Sequence, residues 1–282
     1  MKNMLTMEGV DRSTLDSLLD DADEFFEVIQ RPIPKVPALR GKTVATMFFE
    51  PSTRTKLSFE RAAKALSADT LSFSPGTSSL KKGESLKDTV LTVKAMGADL
   101  MVVRHTATGA AWRVAEWTGL PVVNGGDGAH QHPTQALLDS LTLRQHFGDL
   151  DGLRIAIVGD IRHSRVARSD VWAFATLGAD VTLVAPPTLL PSDLTGWPVA
   201  TSTDFDAVLD QFDAIYVLRV QAERGGASVF PSVAEYRDRF GMTDARFARL
   251  SDETIVLHPG PMIRGIEIDA GVADDPRCKV LE

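Results

Sequence analysis

Arg54 lies among serine and threonine residues, shortly after an apolar segment of the chain. Residues 43–49 are followed by Glu50-Pro51-Ser52-Thr53-Arg54-Thr55 and then by a helical pattern. Free backbone N–H groups at a helix start bind anions, and the guanidinium of Arg54 can grip phosphate oxygens as a planar fork. Ser and Thr also favour helix starts as simple caps. The segment therefore predicts either an anion site or a capping turn.

Two further basic elements lie in the first half of the chain. The polar segment Ser78–Ser85 carries Lys81 and Lys82 beside Gly83. Lysine is mostly a solvated surface residue, whereas the glycine would permit close approach to a ligand. Arg104 and His105 end another apolar run, Leu100–Val103. Their position alone does not show whether they are simply exposed to solvent at the end of the strand or contact a ligand.

A fourth element, His130–Asp139, combines histidine with an amide at a predicted helix start. His132 and Gln135 are three residues apart and can point the same way. Donors aimed at a carbonyl oxygen are parts of an oxyanion site, and helix capping is the alternative. A metal site is not expected, because no third ligand accompanies the two histidines and Cys278 is the single cysteine.

In the second half of the chain, polar residues again follow predicted strands. The run 157–165 has one glycine and ends at Arg165, so the dinucleotide fingerprint fails. Arg219-Val220-Gln221 and His258-Pro259-Gly260-Pro261 follow two later strands. Paired arginines favour carboxylate recognition. Gly260 before Pro261 predicts a tight turn, with a cis bond as one option, although each feature alone could be structural.

The elements that position these residues alternate between strands and helices. A helical stripe joins Phe59, Ala62, Ala63 and Leu66. The pattern predicts an α/β fold of two doubly wound parallel-sheet domains, with ligands beyond the carboxyl ends of the strands. The predicted strands are Thr43–Phe49, Leu100–Arg104, Leu153–Val158, Val181–Ala185, Ala214–Leu218 and Thr254–Leu257.

The length and the break in the pattern near residue 145 both indicate two domains. The chain has 282 residues, and a helix predicted over Pro133–Arg144 ends just before the segment HFGDLDG. We place the first domain at 1–145 and the second at 146–282. A net charge of −8 makes a nucleic-acid partner a poor candidate. We expect no membrane segment, no export signal, no internal disulfide and a cytoplasmic location.

Together these motifs are far more specific than any one of them. Their order and spacing resemble those of the aspartate carbamoyltransferases, from about residue 4 to the end of the chain. The motifs that carry the resemblance are Pro51–Thr55, Lys82–Glu84, His132–Gln135, Arg219–Gln221 and His258–Pro261. The resemblance implies carbamoyl transfer to L-aspartate in pyrimidine biosynthesis, without a cofactor or metal, in the cleft between the two domains.

The resemblance also implies roles for individual residues. Carbamoyl phosphate would contact Ser52, Thr53, Arg54, Thr55, Arg104, His132, Gln135, Gly260 and Pro261. Aspartate would contact Lys82, Arg165, Arg219 and Gln221. Catalysis would rest on Arg54, Thr55, Lys82, Arg104, His132 and Gln135. Lys82 would reach a neighbouring subunit's site, so a homotrimer is expected, and attached regulatory or dihydroorotase-like chains remain open.

Two other functions remain as alternatives to aspartate carbamoylation. An ornithine carbamoyltransferase would carry a His-Cys-Leu-Pro turn, whereas His258-Pro-Gly-Pro261 stands here. A non-catalytic binding or assembly subunit would not need every anion-binding group.

The family's final helix, which packs back on the first domain, is expected to be absent after Val280-Leu281-Glu282. An uncovered apolar groove and reduced stability or altered assembly would follow.

Overall fold

The protein, described by a computed structural model over residues 2–73, 83–220 and 232–281, divides into two compact units. The first unit comprises Met1–Met7 and Asp16–Thr134, and the second comprises Glu8–Leu15 and Gln135–Glu282. The domain limit near residue 145 stays a prediction. No helix within the described ranges is long and apolar enough to cross a membrane.

The helices and strands alternate along the chain. The first nine elements are α1 Arg12–Ile29, β1 Thr43–Phe48, α2 Thr53–Ala65, β2 Asp69–Phe73, α3 Leu86–Ala95, β3 Leu100–His105, α4 Ala110–Thr118, β4 Val122–Asp127 and α5 Pro133–Phe147. The later ones are β5 Arg154–Val158, α6 Arg165–Thr176, β6 Asp180–Val184, β7 Val199–Ser202, α7 Phe205–Val208, β8 Ala214–Val217, α8 Val233–Phe240, α9 Asp244–Phe247, β9 Ile255–Leu257 and α10 Ala270–Ala273.

The first unit is a four-stranded parallel sheet in the order β2-β1-β3-β4, with helices on both faces. Successive side chains of a strand point to opposite faces. Ala45 and Met47 of β1 accordingly pack in one apolar cluster with residues of α3 and α4. Val44 and Phe48 pack in the other with Ala63 and Phe59 of α2. Phe59 and Ala63 of the predicted helical stripe thus pack in this cluster, whereas Ala62, placed in the same stripe, is exposed.

The second unit is a five-stranded parallel sheet in the order β7-β6-β5-β8-β9. Its central strand β5 is buried from Ile155 to Val158, as expected for a strand covered on both faces. Phe174 of α6 lies edge-on to Tyr216 of β8, with ring centroids 6.5 Å apart. The predicted α/β class with two parallel sheets is therefore confirmed.

Three strands lie outside those that the sequence pattern predicts. β2 and β7 are edge strands, half-exposed and rich in polar residues, so they lack the apolar run of a central strand. β4 reads Val-Val-Asn-Gly-Gly-Asp, a composition typical of turns. Its polar residues are buried because they are hydrogen-bonded: the Asn124 amide nitrogen donates to the carboxylate of Asp127 over 2.8 Å.

Candidate active site

The amino end of α2 presents hydrogen-bond donors and one cation. Ser52 is the extended N-cap residue, and its hydroxyl makes no capping bond. The N–H groups of a helix's first turn have no intrahelical acceptor, so they can bind an anion. Arg54 is exposed, and its guanidinium makes no hydrogen bond or ion pair with any residue in the described ranges. This end of α2 can therefore hold a phosphate group.

Arg104, at the end of β3, is fixed from three sides. Its Nε donates to Glu50 Oε1 over 2.7 Å, and the two side chains are only 15% and 11% exposed. Its Nη1 donates to the carbonyl oxygen of Gly125 over 3.1 Å and lies 3.4 Å from the hydroxyl of Thr55. The guanidinium is thus held at the carboxyl edge of the first sheet, next to the start of α2.

His132 lies directly before α5 and is 6% exposed. Its Nε2 is 3.5 Å from Arg104 Nη1, and its Nδ1 is 3.4 Å from the Thr134 hydroxyl. A guanidinium only donates hydrogen bonds. Nε2 must therefore face it with its lone pair, while Nδ1 carries the proton and donates to Thr134. The contacts favour a neutral imidazole.

His105, which precedes a turn, contributes no positive charge to this group at neutral pH. Burial lowers its pKa from the ordinary value, and the neighbouring carboxylates of Glu50 and Asp127 oppose that effect only in part. Its Nδ1 accepts a hydrogen bond from the backbone N–H of Ala107 over 2.8 Å. Of the pair Arg104 and His105, the arginine is the charged member.

In the second unit, adjacent strands β5, β8 and β9 of one parallel sheet are followed by Arg165, Arg219 and the Gly260–Pro261 turn. Arg165 is the first residue of α6 and is 4% exposed. Ser164 caps this helix, since its hydroxyl accepts a hydrogen bond from the backbone N–H of Ala167. Arg219 comes just after β8 and is half-buried. Because carboxyl ends of parallel strands share one edge, both arginines belong to the same edge of this sheet.

The turn after β9 has the geometry that its sequence allows. The Gly260–Pro261 peptide bond is cis, and Gly260 has φ of 59°, a left-handed value suited to glycine. The ring nitrogen Nδ1 of His258 accepts from the backbone N–H of Gly260 over 2.8 Å. The backbone N–H is thus satisfied internally, and the carbonyl groups of the turn are what it can offer to a ligand.

The structure brings only some of the predicted site residues together, and two contacts of Arg104 are not predicted from the sequence. Thr55, Arg104 and His132 come together, whereas Lys82 and Gln221 lie outside the described residues. Glu50 and Gly125 have no predicted role, although Glu50 begins the Arg54 motif and could have been flagged as a carboxylate beside a basic site. Gln135 belongs to the second unit, where its amide nitrogen donates to Asp139.

A cavity of about 480 Å³ in the second unit lies away from all of these residues. Arg154, Asp213 and Thr254 line it near the amino ends of β5, β8 and β9. Four of its charged side chains form two ion pairs, Arg154 with Asp213 at 2.7 Å and Arg249 with Asp210 at 3.2 Å. Among the described residues, no group of three or more histidine, cysteine or acidic side chains could hold a metal ion.

Comparison with known proteins matches two consecutive segments of the chain to the two domains of one enzyme family. Residues 2–145 match the carbamoyl-phosphate-binding domain of aspartate/ornithine carbamoyltransferases, and residues 151–282 match their aspartate/ornithine-binding domain. The aspartate carbamoyltransferase catalytic subunit of Thermobifida fusca is 55% identical over 282 residues, covering 100% of this chain and 90% of the relative. The subunit of Mycobacterium bovis is 54% identical over 287 residues, with the same coverage.

Two solved structures of aspartate transcarbamoylases are similar in fold to this chain. Aspartate transcarbamoylase from Trypanosoma cruzi in complex with N-(phosphonacetyl)-L-aspartic acid superposes with a TM-score of 0.89 at 30% identity, covering 99% of this chain and 90% of that one. The catalytic subunit of M. jannaschii aspartate transcarbamoylase gives 0.84 at 35% identity, covering 99% and 92%. With both domain types matched in order along its length, this chain belongs to the aspartate/ornithine carbamoyltransferase family.

Proposed function

We propose that this chain transfers the carbamoyl group of carbamoyl phosphate to the amine of L-aspartate, giving N-carbamoyl-L-aspartate and phosphate for pyrimidine biosynthesis. The relatives described above carry the name of that activity. Structures of the T. cruzi relative contain carbamoyl phosphate and aspartate. The observation that carries the proposal is the convergence of Thr55, Arg104 and His132 beside the exposed Arg54 at the start of α2.

The residues of the first unit suit the phosphate and carbonyl of carbamoyl phosphate. Ser52, Thr53, Arg54 and Thr55 would bind the phosphate through hydroxyls, N–H groups and the guanidinium. Arg104 would donate to the carbonyl oxygen, where negative charge develops during attack. His132 would lie beside the same carbonyl group and orient Arg104 toward it, through the contact between its Nε2 and Arg104 Nη1. In the second unit, Gln135 and the carbonyls of Gly260 and Pro261 would accept from the carbamoyl nitrogen.

The reaction needs positioning more than it needs a covalent nucleophile. The deprotonated amine of aspartate attacks the carbamoyl carbon and forms the new C–N bond. A tetrahedral oxyanion forms, the C–O bond to phosphate breaks, and phosphate leaves with a proton from the amine. Orientation of two bound reactants and fixed donors for the oxyanion supply the catalysis. Arg165, Arg219 and Gln221 would hold the aspartate carboxylates, because arginine pairs them bidentately.

Assembly and location extend the proposal. We propose a homotrimer in which Lys82 enters a neighbouring subunit's site, and a cytoplasmic location. Family resemblance supports the first, and the single cysteine is in keeping with a reducing compartment. Light scattering of the purified protein would test the trimer directly: a monomer at assay concentration would contradict the shared site.

The test of function is product formation with two acceptors. With labelled carbamoyl phosphate, we expect carbamoylaspartate from L-aspartate and no citrulline from L-ornithine. Citrulline formation would favour the ornithine branch of the family. Failure of the folded protein to form either product, with tight substrate binding retained, would indicate a non-catalytic binding subunit.

A further inference from the structure

A buried polar cluster lies behind Gln135 in the second unit. Gln135 Nε2 donates to Asp139 Oδ1 over 3.1 Å and lies 3.3 Å from Oδ2. The hydroxyl of Tyr216, on β8, donates to Asp139 Oδ2 over 2.7 Å. Asp139 and Tyr216 are both buried, while Gln135 keeps partial exposure. One end of the glutamine side chain is thus tied to the interior.

Asp170, on α6, completes this cluster. It is fully buried, and no donor group within the described ranges bonds to either of its carboxyl oxygens. Its neighbour is the carboxyl group of Asp139, and two buried carboxyls side by side cannot both ionise readily. Burial is the main cause that raises both pKa values, that of Asp139 to about 7 and that of Asp170 further above its ordinary value. Asp139 therefore ionises first, while Asp170 keeps its proton.

An ionised Asp139 determines which way the Gln135 amide points. A carboxylate only accepts hydrogen bonds, so the NH₂ group of the amide must face it. The carbonyl oxygen Oε1 lies on the other side of the amide group and is turned away from Asp139. A glutamine that could rotate freely would offer a donor or an acceptor equally, whereas this one offers an acceptor.

We propose that Asp139 is a positioning residue that holds the Gln135 amide with its nitrogen inward, so that Oε1 accepts an N–H from the carbamoyl group of the substrate. The inference rests on the proposed function, because it assigns Gln135 to the carbamoyl nitrogen. It adds a reason for the enzyme to prefer a carbamoyl over an acyl group: a ligand with a methyl in place of the amine would leave Oε1 without a donor.

The test compares carbamoyl phosphate with acetyl phosphate, which replaces the NH₂ group by a methyl group. Dissociation constants for both are measured by calorimetry at about pH 8, where Asp139 is ionised. The wild-type protein should bind carbamoyl phosphate more tightly. In D139N, an amide faces Gln135 and accepts either orientation, so the preference should fall by about 10-fold, the scale of one hydrogen bond.

D170N is the matched control. Its amide is uncharged, as the protonated Asp170 is, so Asp139 stays ionised and the preference should stay within about two-fold of wild type. If D139N bound carbamoyl phosphate and acetyl phosphate more weakly by the same factor, the proposal would be overturned, because a merely structural role of Asp139 predicts that result. An equal loss of preference in both variants would also overturn it.

If D139N does not fold, the wild-type protein decides the question. Proton exchange of the Gln135 side-chain amide, assigned by comparison with Q135N, should be about 10-fold slower than that of the exposed Gln30. Exchange as fast as that of Gln30 would overturn the proposal. A wild-type protein that forms carbamoylaspartate without any preference for carbamoyl phosphate would refute this inference and leave the proposed function standing. A protein that forms no product would refute the function itself.

Discussion

The carboxylate of Glu50 holds the guanidinium of Arg104 in a 2.7 Å ion pair at the carboxyl edge of the first sheet. Glu50 follows β1, and Arg104 lies near the end of the adjacent strand β3, so the sheet itself brings the two together. The pair occupies Nε of the arginine and leaves its Nη1 directed at Gly125, Thr55 and His132. We conclude that Glu50 sets the direction in which Arg104 can donate.

Removal of this carboxylate should impair use of carbamoyl phosphate. E50A leaves Arg104 charged but without its strongest orienting contact. We expect kcat/KM for carbamoyl phosphate to fall by about 10-fold or more, since hydrogen bonds to charged groups are worth ~1.5–3 kcal/mol. Steady-state kinetics measures the loss. E116A is the control, because Glu116 pairs with Arg113 on the exposed surface of α4. An E50A enzyme with unchanged kcat/KM would show that Arg104 needs no such partner.

Substitution of Asp170 should change how stability depends on pH. An acid whose pKa is raised by folding costs no stability below its unfolded pKa, and its cost grows as pH rises toward the folded value. Asp170 has such a raised pKa, caused first by burial and then by Asp139. D170N removes that cost, so its melting temperature relative to wild type should increase between about pH 5 and about pH 8.

Thermal melts at both pH values measure this difference. D252N, a substitution of an exposed aspartate, controls for the loss of one acidic residue from the chain. A D170N difference that is flat, or that shrinks as pH rises, would mean that Asp170 is ionised in the folded protein without cost.

Arg246 should be among the residues most important for the stability of the second unit. Its side chain is 7% exposed and forms a bidentate pair with Asp206, with a shortest distance of 2.7 Å. It also donates to the backbone carbonyl of Gly241 over 2.7 Å and thereby joins α7 and α9 to the end of α8. R246A leaves the Asp206 carboxylate and the Gly241 carbonyl without this donor, and we expect about 2–3 kcal/mol of lost unfolding free energy.

Denaturant unfolding of the variant tests this value. R264A is the control, since Arg264 and Asp274 pair at the surface with side chains 45% and 69% exposed, and such pairs contribute little. Equal losses in the two variants would contradict the special position of Arg246.

The central strands and the basic residues after them could be predicted from the sequence, because both leave a local signal. Val102 and Val103 indicate a buried strand, and Arg104 directly after them indicates a polar edge. The aspartate-lined cluster behind Gln135 leaves a fainter signal. Ala167, Asp170, Val171 and Phe174 fall on one helical face, so an acid stands in an apolar stripe. That its neighbours are Asp139 and Tyr216 depends on tertiary packing, which no local pattern contains.

The account depends most on Arg54 as a phosphate ligand in a carbamoyltransferase. Loss of this guanidinium should lower turnover by more than about 100-fold, the scale of losing an oxyanion donor. R61A, seven residues later on the same face of α2, serves as the matched control and should stay within about two-fold of wild type.

Calorimetric titration with N-(phosphonacetyl)-L-aspartate tests the central claim most directly, because this one molecule combines the phosphonate and aspartate groups of both proposed substrates. We predict one site per chain in the wild-type protein and in R61A, and binding weaker by about 100-fold in R54A. Folded wild-type protein that gives no heat of binding, or an R54A protein that binds as tightly as R61A, would contradict the account.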